Sequence, residues 1–372
     1  MSLIEWISEA TYRDEEEING NGVLIRDFYI LQDSRAQTNF KITEASLDSK
    51  DFSEDNPNLT IYEDRGFKFK SYAEFFINNS IEEDIKFKIG TVEIIVSKPS
   101  ILFDLLVADV DDKYYDRDDY STISLRGINE NNLENYIYQA FFIIESYFSD
   151  NVLWDFPSIQ RFYGEDYGMY DPSSLDISPS DEDITDTEES SADDRIKNFD
   201  SFDNIEAISF YNAGKSMKEQ ELSFQYFYKV LEYFFILNKE NEFVSLIADY
   251  NSSEINISSF IKKVSNIYNA NETTHLELLL ESLKVELEPL LKFALESKKI
   301  TSLDTNELAK GIYKYRNSLV HGKKERSLEL KLPNLLSSDE EDFWIKVVHN
   351  ISVILIKKYC YPNKKSPNGD VS

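Results

Sequence analysis

The chain has 372 residues, is 41% hydrophobic and 14% aromatic, and carries a formal net charge of −30. That length and apolar content suit two or three domains with their own cores and exclude a fibrous or wholly disordered chain. The charge argues against loose binding to polyphosphate, and the single cysteine, Cys360, excludes an internal disulfide or a cysteine-built zinc site and fits a reducing cytoplasm.

The opening stretch, MSLIEWISEATYRDEEE, has neither a basic segment nor a long apolar run, so no secretory leader is expected. Residues 1–165 read as a mixed α/β domain containing a sheet. The segments 23–31, 58–63, 66–72, 85–90 and 91–98 are short, rich in β-branched and aromatic residues, and several alternate apolar with polar. Residues 130–148 have the length and spacing of a helix, with Asn131 or Asn132 near its start. Residues 166–200 are expected to be an acidic disordered linker. Its centre, 171–194, holds ten acidic residues and no basic one, and cannot bury enough apolar surface to offset ordering. Such a run is either a solubilising tether or a mimic of nucleic-acid charge that occupies a basic site.

From 201 to 372 the pattern is helical, with expected helices at 204–216, 219–250 (with a break near Asn238), 256–269, 273–298, 304–321 and 339–360. Thr274 and Glu277 have capping-box spacing, and Gly322 stands where a glycine ends a helix. Short loops between long helices imply an antiparallel bundle, which makes the whole chain α+β. The charge is uneven. Residues 201–372 hold 22 Lys and Arg against 24 Asp and Glu, a net of −2. Residues 1–200 hold the remaining 17 against 45, a net of −28. The stretch VVHNISVILI is interrupted by His349 and Asn350 and is too short and polar to span a bilayer, so no membrane partner is expected.

The stretch KYRNSLVHG, residues 314–322, stands out from this scaffold. On a helical wheel centred on Leu308, Ile312, Tyr315 and Leu319 lie within about 40° and form the core stripe. Asn317 and His321 fall opposite it, at about 180° and 220°, with Lys310 and Lys314 beside them. Arg316 lies on the flank at about 80°, from where a long guanidinium reaches either way. Tyr313 and Val320 also face outward, so something is expected to dock there, most economically a second copy of the helix spanning 304–321. Residues 310–326 contain Lys310, Lys314, Arg316, Lys323, Lys324 and Arg326 against Glu325, a net of +5 that suits a phosphate-bearing ligand. The helix dipole favours a protonated His321 and the nearby cations oppose it. Glu232 lies in a helix apolar nearly all round. It is either an anchor for Arg316 or Lys229, or a glutamate exposed at a helix edge.

Arg316-Asn317-Ser318-Leu319-Val320-His321 resembles the signature of the HEPN superfamily, an Arg, often followed directly by a polar residue, and a His after four to six residues, and SFQYFYKVLEYFF (223–235) resembles an early helix of ApeA-like phage-defence members. The resemblance covers roughly 201–360. It implies a metal-independent endoribonuclease, toxin or anti-phage effector, that needs no cofactor and dimerises so that two motifs share one site. His321 would move protons, Arg316 would hold the phosphate, and Asn317 would orient His321 or the phosphate. Lys310, Lys314, Lys323, Lys324 and Arg326 would bind RNA, with Glu232 and Tyr313 in support. Residues 1–165 would sense a trigger or restrain the cutter, with an inhibitory or activating protein partner. The alternative is a non-catalytic HEPN module that binds nucleotides or proteins.

The other histidines suggest less. His275 is expected on the surface and His349 in or near the core. Asp109, Asp111, Asp112, Asp116, Asp118 and Asp119 lack the EF-hand glycine and are interleaved with Lys113 and Arg117, so no metal site is expected. Phosphate-loop, dinucleotide, zinc-protease and serine-hydrolase signatures are absent.

Overall fold

A computed structural model describes residues 2–33, 35–63, 65–77, 83–107, 120–129, 132–148, 156–159, 197–202, 205–269, 271–320 and 339–361. The chain divides into two compact units, Met1–Ser201 and Phe202–Ser372. The first is mixed α/β and the second helical, so the fold is α+β.

The first unit opens with α1 (Leu3–Thr11) and α2 (Glu15–Gly20). Ser2 and Glu5 cap α1 reciprocally: the Ser2 hydroxyl accepts from the Glu5 amide at 3.2 Å and the Glu5 carboxylate accepts from the Ser2 amide at 2.6 Å. Then β1 (Gly22–Ile25), β2 (Phe28–Asp33) and β3 (Thr38–Thr43) form an antiparallel three-stranded sheet. The expected strand 23–31 is therefore a hairpin, which reverses at Arg26 in the left-handed region, φ 52°. After α3 (Glu44–Ser49) come β4 (Leu59–Ile61), β5 (Gly66–Phe69), β6 (Tyr72–Ile77), β7 (Ile85–Ile89), β8 (Val92–Ser97), α4 (Ile101–Leu106), β9 (Ser121–Arg126), α5 (Leu133–Tyr147) and β10 (Lys197–Phe199).

The larger sheet has the order β10-β7-β8-β9-β6-β5-β4, antiparallel except where β10 joins β7. The expected strand 66–72 also splits, at left-handed Lys70. Strand β10 lies inside the segment expected to be disordered. Phe199 packs on Phe87 and Tyr147, with ring centroids at 5.8 and 5.0 Å, and that apolar contact offsets the ordering of its three residues. The acidic run 171–194 lies outside the described residues.

The second unit comprises α6 (Glu206–Ser216), α7 (Gln220–Asn251), α8 (Ile257–Asn269), α9 (Glu272–Ser282), α10 (Glu288–Glu296), α11 (Thr305–Val320) and α12 (Asp339–Cys360). Helix α7 runs unbroken through Asn238 for 32 residues. The expected helix 273–298 is two helices, because Pro289 has no N–H for the carbonyl four residues back and its ring collides with it. Helix α9 starts earlier than expected: Asn271, not Thr274, is its N-cap, and its side-chain oxygen accepts from the Thr274 amide at 2.9 Å.

Helix α11 sits closely on α12 at one glycine. A Cβ on Gly311 would lie 2.3 Å from the Trp344 ring, which is itself wedged by Phe343 at 4.9 Å and Tyr315 at 6.2 Å. Gly311→Val is expected to destabilise the bundle by about 1–3 kcal/mol, since the ring has no space to yield. A lowered urea midpoint, read by circular dichroism, is the check.

Candidate functional site

Leu308, Ile312 and Tyr315 are buried, as the wheel predicts, and Leu319 is half-buried. Tyr315 meets Phe224 of α7 edge-on at 4.7 Å, which fixes the rotation of α11 about its axis. The next residue, Arg316, is thereby turned towards α7 and α9.

Its guanidinium lies between two carboxylates. Nη2 is 3.7 Å from Glu232 Oε1, and Nε is 3.6 Å from Glu272 Oε1. Both distances are ion-pair separations, longer than a hydrogen bond. Nη1 donates to Asn317 Oδ1 at 3.2 Å. The guanidinium carbon stands 5.7 Å from the centroid of the Tyr228 ring, and the Tyr228 hydroxyl donates to Glu272 Oε1 at 2.7 Å. Arg316 keeps 23% of its side-chain surface in solvent. A guanidinium has five N–H donors in a planar fork, so an outward-facing edge remains for an anion.

Burial raises the pKa of the Glu232 carboxyl and nearby Glu272 raises it further, while Arg316 and Lys229 pull it down. Burial, and then the hydrogen bond to Glu272, push the Tyr228 phenol far above its ordinary value. Two carboxylates against one guanidinium leave a formal charge of about −1 at this junction.

No protein-family model, curated protein or solved structure matches the chain.

Of the expected site residues, the structure brings together Arg316, Asn317 and Glu232. Glu232 is partly exposed and pairs with Arg316, while Lys229 lies over the rings of Phe210 and Tyr226 at 5.4 and 4.7 Å. The Asn317 oxygen is engaged by Arg316. Lys310 and Lys314 are exposed, with Lys310 3.9 Å from Glu277, and Tyr313 is half-buried. His321, Gly322, Lys323, Lys324 and Arg326 lie outside the described residues, as do the aspartates between 109 and 119. Among the described residues, no group of three or more His, Cys, Asp or Glu could hold a metal ion, and no helix is long and apolar enough to cross a membrane.

Sequence reasoning missed Tyr228 and Glu272. Tyr228 stands one turn before Glu232 on α7, a spacing that could have flagged it. Glu272 was hidden because the helix was expected from 273, with Thr274 as its capping residue. The same error misplaced His275, which is buried rather than on the surface. With α9 beginning at Glu272, His275 lies beside Leu276 on the core face, 6.4 Å from the Phe235 ring.

His349 stacks on Tyr211 at 5.5 Å and meets Phe227 at 5.0 Å, and its Nε2 lies 3.0 Å from the Tyr211 hydroxyl. Burial, with a smaller push from Lys215, brings its pKa down to about 3. The folded state thus resists a proton that the unfolded state accepts below about 6.5. Stability is fully present above that pH and is lost progressively as pH falls towards 3, on the order of 2 kcal/mol by pH 5. His349→Gln is expected to flatten that part of the profile of melting temperature against pH.

Proposed function

We propose that the C-terminal unit is a metal-independent endoribonuclease of the HEPN type, acting as a toxin or anti-phage effector. The observation that supports this best is Arg316, steadied by Glu232 and Asn317 with one edge in solvent, five residues before His321. In this reading the RNA 2′-oxygen attacks the adjacent phosphorus. A bond from O2′ to phosphorus forms and the bond to O5′ breaks, leaving a 2′,3′-cyclic phosphate and a 5′-hydroxyl. His321 takes the 2′ proton or supplies one to the departing oxygen. Arg316 offsets charge on the non-bridging oxygens. Lys310 and Lys314, with Lys323, Lys324 and Arg326, draw the strand to this end of α11. Two copies of α11 face each other across a homodimer, so that the Arg316 of one serves with the His321 of its partner. The first unit senses a trigger and damps, without abolishing, cleavage by the second until a protein partner arrives, in the cytoplasm.

A second reading, a non-catalytic HEPN module that binds nucleotides or proteins, is favoured by the formal −1 charge around Arg316, which opposes a phosphate. The deciding experiment incubates RNA with the full chain in excess chelator and identifies the new ends. Cyclic phosphates from the unaltered protein, absent with His321→Ala, are expected. Intact RNA from the unaltered protein at micromolar concentration, or equal cleavage by His321→Ala, ends the ribonuclease reading.

A further inference from the structure

The residues sequence reasoning missed form a seat for Arg316. Tyr228 is buried, at 2% exposure, among Phe224 and Phe235, with ring centroids at 6.0 and 6.4 Å. So enclosed, the ring has no room to swing, and its hydroxyl needs an acceptor. Glu272 Oε1 is that acceptor at 2.7 Å, and the same oxygen faces Arg316 Nε at 3.6 Å. Glu272 in turn stands at the first position of α9, behind the Asn271 cap, where the helix dipole favours a carboxylate. The Glu272 oxygen is therefore held from two sides, by a buried phenol and by a helix terminus.

A guanidinium is planar, and its orientation is set once two of its edges are fixed. The Nε edge faces Glu272, the Nη2 end faces Glu232, and the Tyr228 ring lies within cation–π distance. Left alone, a long arginine side chain has rotamer freedom to lose when it grips a ligand. A seat that narrows that freedom beforehand, through two ion-pair contacts and the Nη1 bond to Asn317, leaves the outer edge aimed in one direction.

We infer that Tyr228 and Glu272 are the positioning residues for Arg316, the phenol acting through the carboxylate and the carboxylate through Nε. Their consequence for catalysis rests on the ribonuclease reading, whereas their consequence for the arginine's geometry does not. The pair sets orientation rather than affinity, so its loss lowers turnover and leaves substrate binding nearly unchanged. It also makes the site depend on where α9 begins.

Two measurements on the full chain test this. In protein labelled with ¹⁵N-arginine, the Arg316 Nε–Hε signal is assigned by its loss in Arg316→Lys. It is expected to move in Tyr228→Phe and Glu272→Gln, and to stay in place in Tyr226→Phe, whose ring faces Lys229 instead. Tyr228→Phe keeps the ring, so the bundle should remain folded and any change belongs to the hydroxyl. An unmoved signal in both variants overturns the inference, whether or not the protein cuts RNA.

The second measurement is metal-free RNA cleavage. Tyr228→Phe is expected to lose roughly tenfold in kcat with KM within about twofold. The same change in an Arg316→Lys background should cost nothing further, because a residue that acts through the guanidinium has nothing left to act on. Equal losses in both backgrounds would mark a purely structural role and overturn the inference. A gain in cleavage with Tyr228→Phe would mean that the seat restrains Arg316, which also overturns it. Absence of cleavage from the unaltered protein removes the ribonuclease reading and leaves the nitrogen signal to decide the seat.

Discussion

Replacing Asp104 with alanine is expected to destabilise the first unit by about 3–5 kcal/mol. The Asp104 side chain is fully buried, and Arg13 keeps only 6% of its side-chain surface in solvent. Arg13 Nε donates to Asp104 Oδ2 at 2.7 Å and Nη2 donates to the Pro99 carbonyl at 2.8 Å. Burial pulls the Arg13 pKa down, and the charges of Asp104 and then Glu17 outweigh it, so the net shift is upward. The guanidinium therefore stays charged at any ordinary pH, and its buried charge needs a buried partner. Glu17 remains after the substitution, but its carboxylate is 38% exposed and screened, so it compensates weakly. Hydrogen exchange on the full chain is the measurement: amides of α1 and α4, which the pair ties together, should lose protection. A double replacement, Arg13→Met with Asp104→Leu, should recover much of the loss, since apolar side chains of similar volume need no partner.

The sequence carries the helical unit more plainly than the sheet unit, for a physical reason. In α7 and α12, apolar side chains run on for many turns, far longer than a strand, so length alone marks them as helices. The break between α9 and α10 depends on one residue, Pro289, in a stretch that is otherwise leucine-rich and helical in spacing. In the first unit, β6 is buried along its whole length and so shows no alternation to read. Hairpins fold at Arg26 and Lys70, residues that give no glycine or asparagine signal for a left-handed turn.

The site divides in the same way. Arg316 and Asn317 are legible because they fall off the apolar stripe of α11, Arg316 on its flank and Asn317 opposite. Glu232 is half legible, since a carboxylate on an apolar helix asks for a partner without naming it. Tyr228 is legible only as a neighbour of Glu232 one turn away, and Glu272 not at all, because their importance comes from the crossing of α7, α9 and α11.

On the proposed ribonuclease reading, Arg316→Lys is expected to lower metal-free RNA cleavage by roughly two orders of magnitude while leaving the melting temperature of the bundle nearly unchanged. Lysine keeps the charge, so Glu232 and Glu272 still have a cation between them. It has no planar fork, so it cannot hold two phosphate oxygens at once. Arg316→Ala is a poorer test, because it leaves two mutually repelling carboxylates at the junction and could lower activity through stability alone. The acid side of the cleavage profile supplies an independent sign. The Glu232 carboxyl, raised first by burial and then by Glu272, takes up its proton at a higher pH than an ordinary glutamate. As pH falls through that value the ion pair with Arg316 is lost, and cleavage should fall with it. Glu232→Gln should show that lower activity already at neutral pH and lose the acid limb. Full activity of Arg316→Lys across the pH range would reduce Arg316 to a bridge between three helices, and the phosphate would have to be held elsewhere.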